Sequence, residues 1–250
     1  MWRVSLTVAI ALLAGCSGFF PAGPTAGDSD PVTPAPVPTH SLDATVTAPT
    51  TNGTVDLDRL LDRHERALST RSFHRHVEQA GPQNTLDVWV DRDREITRVR
   101  RRFGPISDDA VLANGTVYTN VRDDPDTPYA TTPAAPNTSL VTSPAGTDLL
   151  RRLLSNTEYR QVDSFRWNGR PVAVLSSTET VESPTGENES EIGRSRLYVD
   201  RQGVIRSVEH SERRPDRPDI DASVTVTTDI GRVPIPWWLE GNDPYSSGSM

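Results

Sequence analysis

The chain has 250 residues, with 26 basic side chains against 34 acidic ones and a formal net charge of -8. Every basic residue is Arg, and Cys16 is the only cysteine. One cysteine excludes an internal disulfide, a CxxC redox centre and a Cys-based zinc cluster. The acid excess argues against a nucleic-acid partner, which requires a basic footprint.

Residues 1–15 have the pattern of an export signal. Arg3 is the only charge ahead of an apolar run from Val4 to Leu13. As a helix that run would reach about 15 Å, half of a ~30 Å hydrocarbon core, so it is too short to span a membrane. It ends in Leu13-Ala14-Gly15-Cys16, a lipobox pattern: small residues suit a signal peptidase, and the Cys16 thiol would take the lipid. An ordinary signal with a coincidental cysteine is the plainer reading. A two-chain lipid on Cys16 would anchor the chain stably to a membrane, where one short chain would not. No Arg-Arg pair precedes the apolar run, so the export route stays open.

Residues 16–55 read as a tether. Seven of the 21 prolines fall here, among Thr, Ala, Ser and Asp. Such a composition cannot bury enough apolar surface to offset its ordering entropy, so the segment is expected to be disordered. The folded domain is expected over 56–240, with a polar tail over 241–250.

The domain opens with a predicted helix. Leu57, Leu60, Leu61, His64, Ala67 and Leu68 share one face, with Asp58, Arg59, Asp62, Arg63 and Arg66 opposite; Thr54 or Asp56 can cap it. Strands are predicted at Phe73–Val77 and Leu86–Val90. A third, Glu95–Phe103, has its apolar positions slip between Ile96 and Val99, which suggests a bulge. Asn114-Gly115 suits a type I′ turn and predicts a hairpin between Val111 and Tyr118. Residues 122–146 hold five prolines and read as a long loop. Asp148–Asn156 is a short second helix. Hairpins follow at Tyr159–Ser177, around Asn168-Gly169, and at Arg194–Ser211, around Asp200–Gly203. Residues 182–191 form an acidic loop, Arg213–Asp219 a charged link, Ser223–Thr228 a strand, and Pro-Ile-Pro-Trp-Trp-Leu an apolar end. Consecutive hairpins imply an antiparallel sheet, and two amphipathic helices need a sheet face to cover them. The fold class is therefore α+β: a strongly bent antiparallel sheet, an unclosed β-barrel, packed on one or two helices.

The lipobox, the Thr/Pro stalk, the helix LDRLLDRHERAL, the hairpin LYVDRQGVIRSVEHS and the end VTVTTDIGRVPIPWWL together resemble surface lipoproteins of halophilic archaea. Acid excess without Lys fits adaptation to molar salt; a GC-rich genome would also favour Arg. The order of elements is similar to the bacterial lipoprotein-carrier fold. That resemblance implies a half-barrel under a helical lid, with an apolar cavity between them. It implies no delivery to an outer membrane, which the inferred host lacks.

Sequence motifs for catalysis are missing: there is no GxSxG, P-loop, GxGxxG, HExxH or EF-hand loop. The reading is non-enzymatic and calls for no cofactor. His74 and His76, with Glu78, share one strand face and could share a metal, but a solvated strand face has the same pattern. His64 sits on an apolar stripe, as a core histidine would. Arg98, Arg100, Arg101 and Arg102 could hold phosphate or headgroups, or could protect a strand edge. Asp108-Asp109 and Asp123-Asp124 could hold a hard cation, or be loop acids of an acid-rich chain. Trp237 and Trp238 could line a groove or pack the core. Asn52, Asn114, Asn137 and Asn188 begin Asn-x-Ser/Thr sequons in expected turns and loops, where a glycan fits. Asn114 has a second reason to be there, since its turn needs positive φ. Two functions remain: a lipid-anchored surface binding module for a lipid or other apolar ligand, or a structural or interaction protein of the cell envelope with a filled core.

Overall fold

A computed structural model of the chain describes residues 46–81, 83–121, 129–155, 157–177, 192–213 and 218–240. The signal, Cys16, Asp123-Asp124 and Asn188 lie outside the described residues. No helix among the described residues is long and apolar enough to cross a membrane.

The elements are β1 (Thr50–Thr51), β2 (Thr54–Val55), α1 (Leu57–Ser69), β3 (Phe73–Gln79), β4 (Asn84–Asp91), β5 (Ile96–Phe103), β6 (Ile106–Ala113), β7 (Thr116–Val121) and β8 (Ala130–Pro133). They continue with α2 (Thr147–Leu154), β9 (Tyr159–Trp167), β10 (Arg170–Ser177), β11 (Ile192–Asp200), β12 (Ile205–Arg213), β13 (Ile220–Thr228) and a 3-10 turn, Trp237–Leu239. Eleven strands form one antiparallel sheet in the order β8-β7-β6-β5-β4-β3-β13-β12-β11-β10-β9. Each half is a meander, and the halves join where β13 pairs with β3. The end strands β8 and β9 do not pair with each other, so the sheet is open. This is the expected α+β architecture.

Both helices lie on one face, here called inner. Asp56 caps α1 by accepting from the Arg59 amide at 3.0 Å. Leu60 and Leu61 pack with Val77, Tyr159, Leu175, Leu197, Val208 and Val224, beside Leu150 and Leu154 of α2. Leu68 packs with Phe73, Val88, Val99 and Val226. Laid flat at ~4.8 Å spacing, the strands from β5 to β9 would be more than about 30 Å wide, against ~10–12 Å for a helix. Packing them all on two helices requires the sheet to curve around them.

Among the described residues, the outer face has an apolar cover over β4–β7. There the C-terminal segment lays Val233, Trp238 and Leu239 on Ile96, Val111 and Ala113. This corrects the expected bulge: β4 and β5 pair without interruption from Asn84↔Phe103 to Asp91↔Ile96. The apolar pattern slips because β5 is buried on both faces, Val99 inward and Ile96 outward. Register shifts occur instead at Val174/Leu175 and Tyr198/Val199.

Two more expectations change. Part of the segment read as tether is packed: Val46, Ala48 and Val55 are buried. Gln161 of β9 accepts from the Ala48 amide at 3.2 Å and donates to the Val46 carbonyl at 2.9 Å. This short segment thus packs beside the edge strand β9. The expected loop at 122–146 contains β8, a four-residue edge strand ending in Pro133.

Candidate functional site

The strand β3 carries two different rows. His74, His76 and Glu78 face outward, as the spacing suggested. Both rings meet one oxygen: His74 Nε2 and His76 Nδ1 each lie 2.8 Å from Asp87 Oδ1. His74 also stacks on Trp89, with ring centres 4.6 Å apart. Burial pushes Asp87 up, but the two histidine hydrogen bonds outweigh it and hold the carboxyl below its ordinary range. No group of three metal-ligating side chains suited to an ion occurs among the described residues. Asp87 engages one nitrogen of each ring, His74 Nε2 and His76 Nδ1.

The inner row of β3 reads Phe73, Arg75, Val77, and its arginine was not singled out by sequence reasoning. Arg75 is 3% exposed. Its neighbours across the ladder are Val226 and Val88, so neither adjacent strand supplies an acid. It has no ion-pair or hydrogen-bond partner among the described residues, and its Nε is buried and unsatisfied. Burial pulls its pKa down to about 10. The available signal was an arginine at a core-facing position between Phe73 and Val77.

Arg75 borders a groove of about 570 Å3 between the inner face and the segment leading into α2. Val77, Leu86, Leu140, Val141 and Leu149 supply apolar wall, interleaved with polar residues such as Gln79, Asn84 and Thr85, and Phe103, 54% exposed, forms an apolar lip. Arg101 and Arg152 line it too, with Asp148. Arg101 is already engaged by Asp108 Oδ2 and the Leu140 carbonyl, both at 2.9 Å.

His64 fixes that segment in place. Its Nδ1 accepts from the Ile205 amide at 3.1 Å, so Nε2 carries the proton and donates to the Ala145 carbonyl at 3.1 Å. Burial pulls its pKa from 6.5 to about 4, so the ring is neutral at neutral pH. It is a satisfied core histidine joining α1, β12 and the turn before α2. Gly146 follows Ala145 with φ 83° and acts as the N-cap residue of α2. A Cβ there would lie 1.8 Å from Arg75 Nη1, so only glycine allows the guanidinium to lie against the backbone.

A second groove, of about 930 Å3, lies by the far ends of β10–β13. Its lining residues include Ser176, Ser177, Ser211, Ser223, Arg194 and Glu209, and about half of the lining surface is apolar. Ser195 Oγ meets His210 Nδ1 at 2.7 Å there. The Ser195 amide donates to Ser177 Oγ, so it is not free to steady a developing oxyanion. Ala222 is the one apolar side chain along its lining among the described residues, so this groove lacks the aliphatic stretch of the inner one.

The remaining sequence candidates have structural roles. β5 is not an edge, and Arg98 is buried in it. Arg98 grips Asp109 with Nε–Oδ1 3.0 Å and Nη2–Oδ2 2.6 Å, and donates to the Pro234 carbonyl at 2.8 Å. Arg102 points outward. Asp108 and Asp109 lie in β6, not in a loop, and are the ion-pair partners of Arg101 and Arg98. Trp238 is buried, with Nε1 3.3 Å from Asp109 Oδ2, whereas Trp237 is 45% exposed. The sequon residues Asn52, Asn114 and Asn137 are exposed at positive φ (53°, 50° and 63°). That backbone shape by itself favours Asn at all three turns.

No protein-family model matches the chain, and no curated protein sequence matches it. Among solved structures, it is similar to the lipoprotein LppX of Mycobacterium tuberculosis, at 11% identity and TM-score 0.36, over 68% of this chain and 93% of that one. It is also similar to LprF of Mycobacterium bovis, at 13% identity and TM-score 0.40, over 72% and 95%. MucB of Pseudomonas aeruginosa, solved with MucA, gives 18% identity and TM-score 0.35, over 72% of this chain and 59% of that one. Likenesses this slight place the chain in no family.

Proposed function

We propose that the chain is an exported, lipid-anchored surface binding module without catalytic activity, whose inner groove takes a lipid or other apolar ligand. The observation that carries this reading is the groove itself. Its volume of about 570 Å3 falls in the range of small-molecule sites, and it keeps an apolar stretch, Leu86, Leu140, Val141, Leu149 and Phe103, beside the packed helices. The exposed Phe103 and Ile106 at the β5–β6 turn extend the apolar surface outward. Anchoring through Cys16 would hold the domain on the outer side of the cytoplasmic membrane, and Asn52, Asn114, Asn137 and Asn188 would be available to glycosylation there.

A second reading is an envelope interaction module with no ligand. The packing of α1 and α2 against the inner face favours it, because their side chains occupy space that an unfilled half-barrel would leave to a ligand. Titration with the neutral apolar dye Nile red in molar salt separates the two. Saturable blue-shifted binding, weakened about tenfold or more by Leu149→Trp, is expected of the groove. No saturable binding would favour the interaction module.

A further inference from the structure

We infer that the groove contains an anion subsite at Arg75, which takes the phosphate or carboxylate group of an amphiphile whose hydrocarbon lies on the apolar walls. This rests on the binding reading above and adds the chemical class of the ligand.

The argument starts from a cost. A charge buried without a partner is destabilising by several kcal/mol. Folded chains normally answer a buried arginine with a carboxylate, and this one does so twice elsewhere. Arg98 has Asp109, and Arg206 has Asp200 Oδ2 at 2.7 Å from its Nε. Arg75 is as buried as either, yet has no acid and no hydrogen-bond acceptor among the described residues. Its charge is nevertheless felt locally, since it helps to hold His64 neutral.

The backbone adds a second positive feature at the same point. The guanidinium lies against Gly146, at the N-terminus of α2. Helix N-termini carry partial positive charge and favour anions. A cation placed there meets like charge, and Ser143 Oγ supplies only a neutral acceptor, for the Gly146 and Thr147 amides. Asp148 in the first turn is exposed and offsets part of the dipole, but does not reach Arg75. An anion bound between the guanidinium and the helix start would satisfy both features. The planar fork of Arg suits two oxygens of a phosphate or carboxylate.

The surroundings point to an amphiphile over a bare ion. From Arg75 the walls run to Val77 and Leu86 on the sheet and Leu140, Val141 and Leu149 opposite, ending at the exposed Phe103. Molar salt does not remove the selectivity, because screening acts mainly on exposed charges.

Calorimetric titration of the full chain in molar potassium chloride, with dodecyl phosphate, dodecanoate, dodecanol and inorganic phosphate, tests this. The two anionic amphiphiles are expected to bind about tenfold or more tighter than dodecanol. Arg75→Gln should bring all three tailed ligands to within about threefold of one another. Arg75→Lys, which keeps the charge but not the fork, should recover part of the gap. Equal binding of anionic and neutral ligands by the native chain would overturn the subsite and leave the apolar groove standing. Phosphate alone binding as tightly as dodecyl phosphate would overturn the amphiphile in favour of a free anion. Binding by none of the tailed ligands would remove the groove reading as well. The native-chain series decides the question even if the Arg75 variants do not fold.

Discussion

Acidification below neutrality should weaken the fold through His64 before most carboxylates protonate. In the folded chain Nδ1 of this ring accepts the Ile205 amide, which a protonated imidazole cannot do. The folded pKa is about 4, against 6.5 for the free side chain, chiefly because the ring is buried. Between those values the unfolded chain binds the proton and the folded chain does not, so stability rises with pH across that window. The contribution is complete above about pH 6.5 and is lost as the pH falls toward 4. At ~1.4 kcal/mol per pH unit the loss is about 3 kcal/mol, a large share of a domain's usual stability. Asp87 and Asp229, whose pKa values are lowered, act further down, below the ordinary carboxyl range. The assay is the urea midpoint at constant molar salt, followed from about pH 7 to 4 for the native chain and for His64→Gln. The native curve should fall steeply through that range, and the variant, less stable at neutral pH, should fall less. A native curve that is flat above about pH 4.5, or a variant with the same slope, would show that His64 does not set the acid sensitivity.

Other perturbations should separate the parts of the structure. Asp109→Asn leaves Arg98 buried beneath the C-terminal segment and should cost about 3–5 kcal/mol, seen as a lower urea midpoint together with loss of the near-UV signal of Trp238. Leu61→Ala removes a side chain that is 1% exposed between α1 and the sheet, and should cost about 2–5 kcal/mol in the same assay. Gly146→Ala should cost at least about 1–3 kcal/mol, because φ 83° disfavours Ala and the Cβ would displace Arg75. Cys16→Ser should move the chain from the membrane fraction to the medium in its own cells; unchanged fractionation would argue against lipid anchoring.

Local patterns in the sequence carried much of the fold. The α1 stripe, the Asn-Gly turns at 114–115 and 168–169 and the turn at Asp200–Gly203 mark elements found at those places. What they could not carry is which faces are covered. β5 read as bulged because a period-two rule assumes one dry face, and the C-terminal segment makes both faces dry. The same burial turned Arg98 and Asp109 from surface charges into an ion pair. Val46 to Val55 read as tether because composition averages over a long window, while a few small apolar residues suffice to dress the edge strand β9. At β3 the histidines are the familiar ligand type. The informative residue was one position away on the other face, where Arg75 interrupts a core row without an acid to meet it.

An anionic amphiphile held in the inner groove should add a defined mass to the chain. Native mass spectrometry tests this most directly, on the full chain kept folded in high salt, exposed to lipid extract from its own envelope and then desalted. A bound species of defined mass, carrying a phosphate or carboxylate and missing from Arg75→Gln, is the expected result. A clean unliganded mass across the whole extract would contradict such a ligand and leave an envelope interaction module.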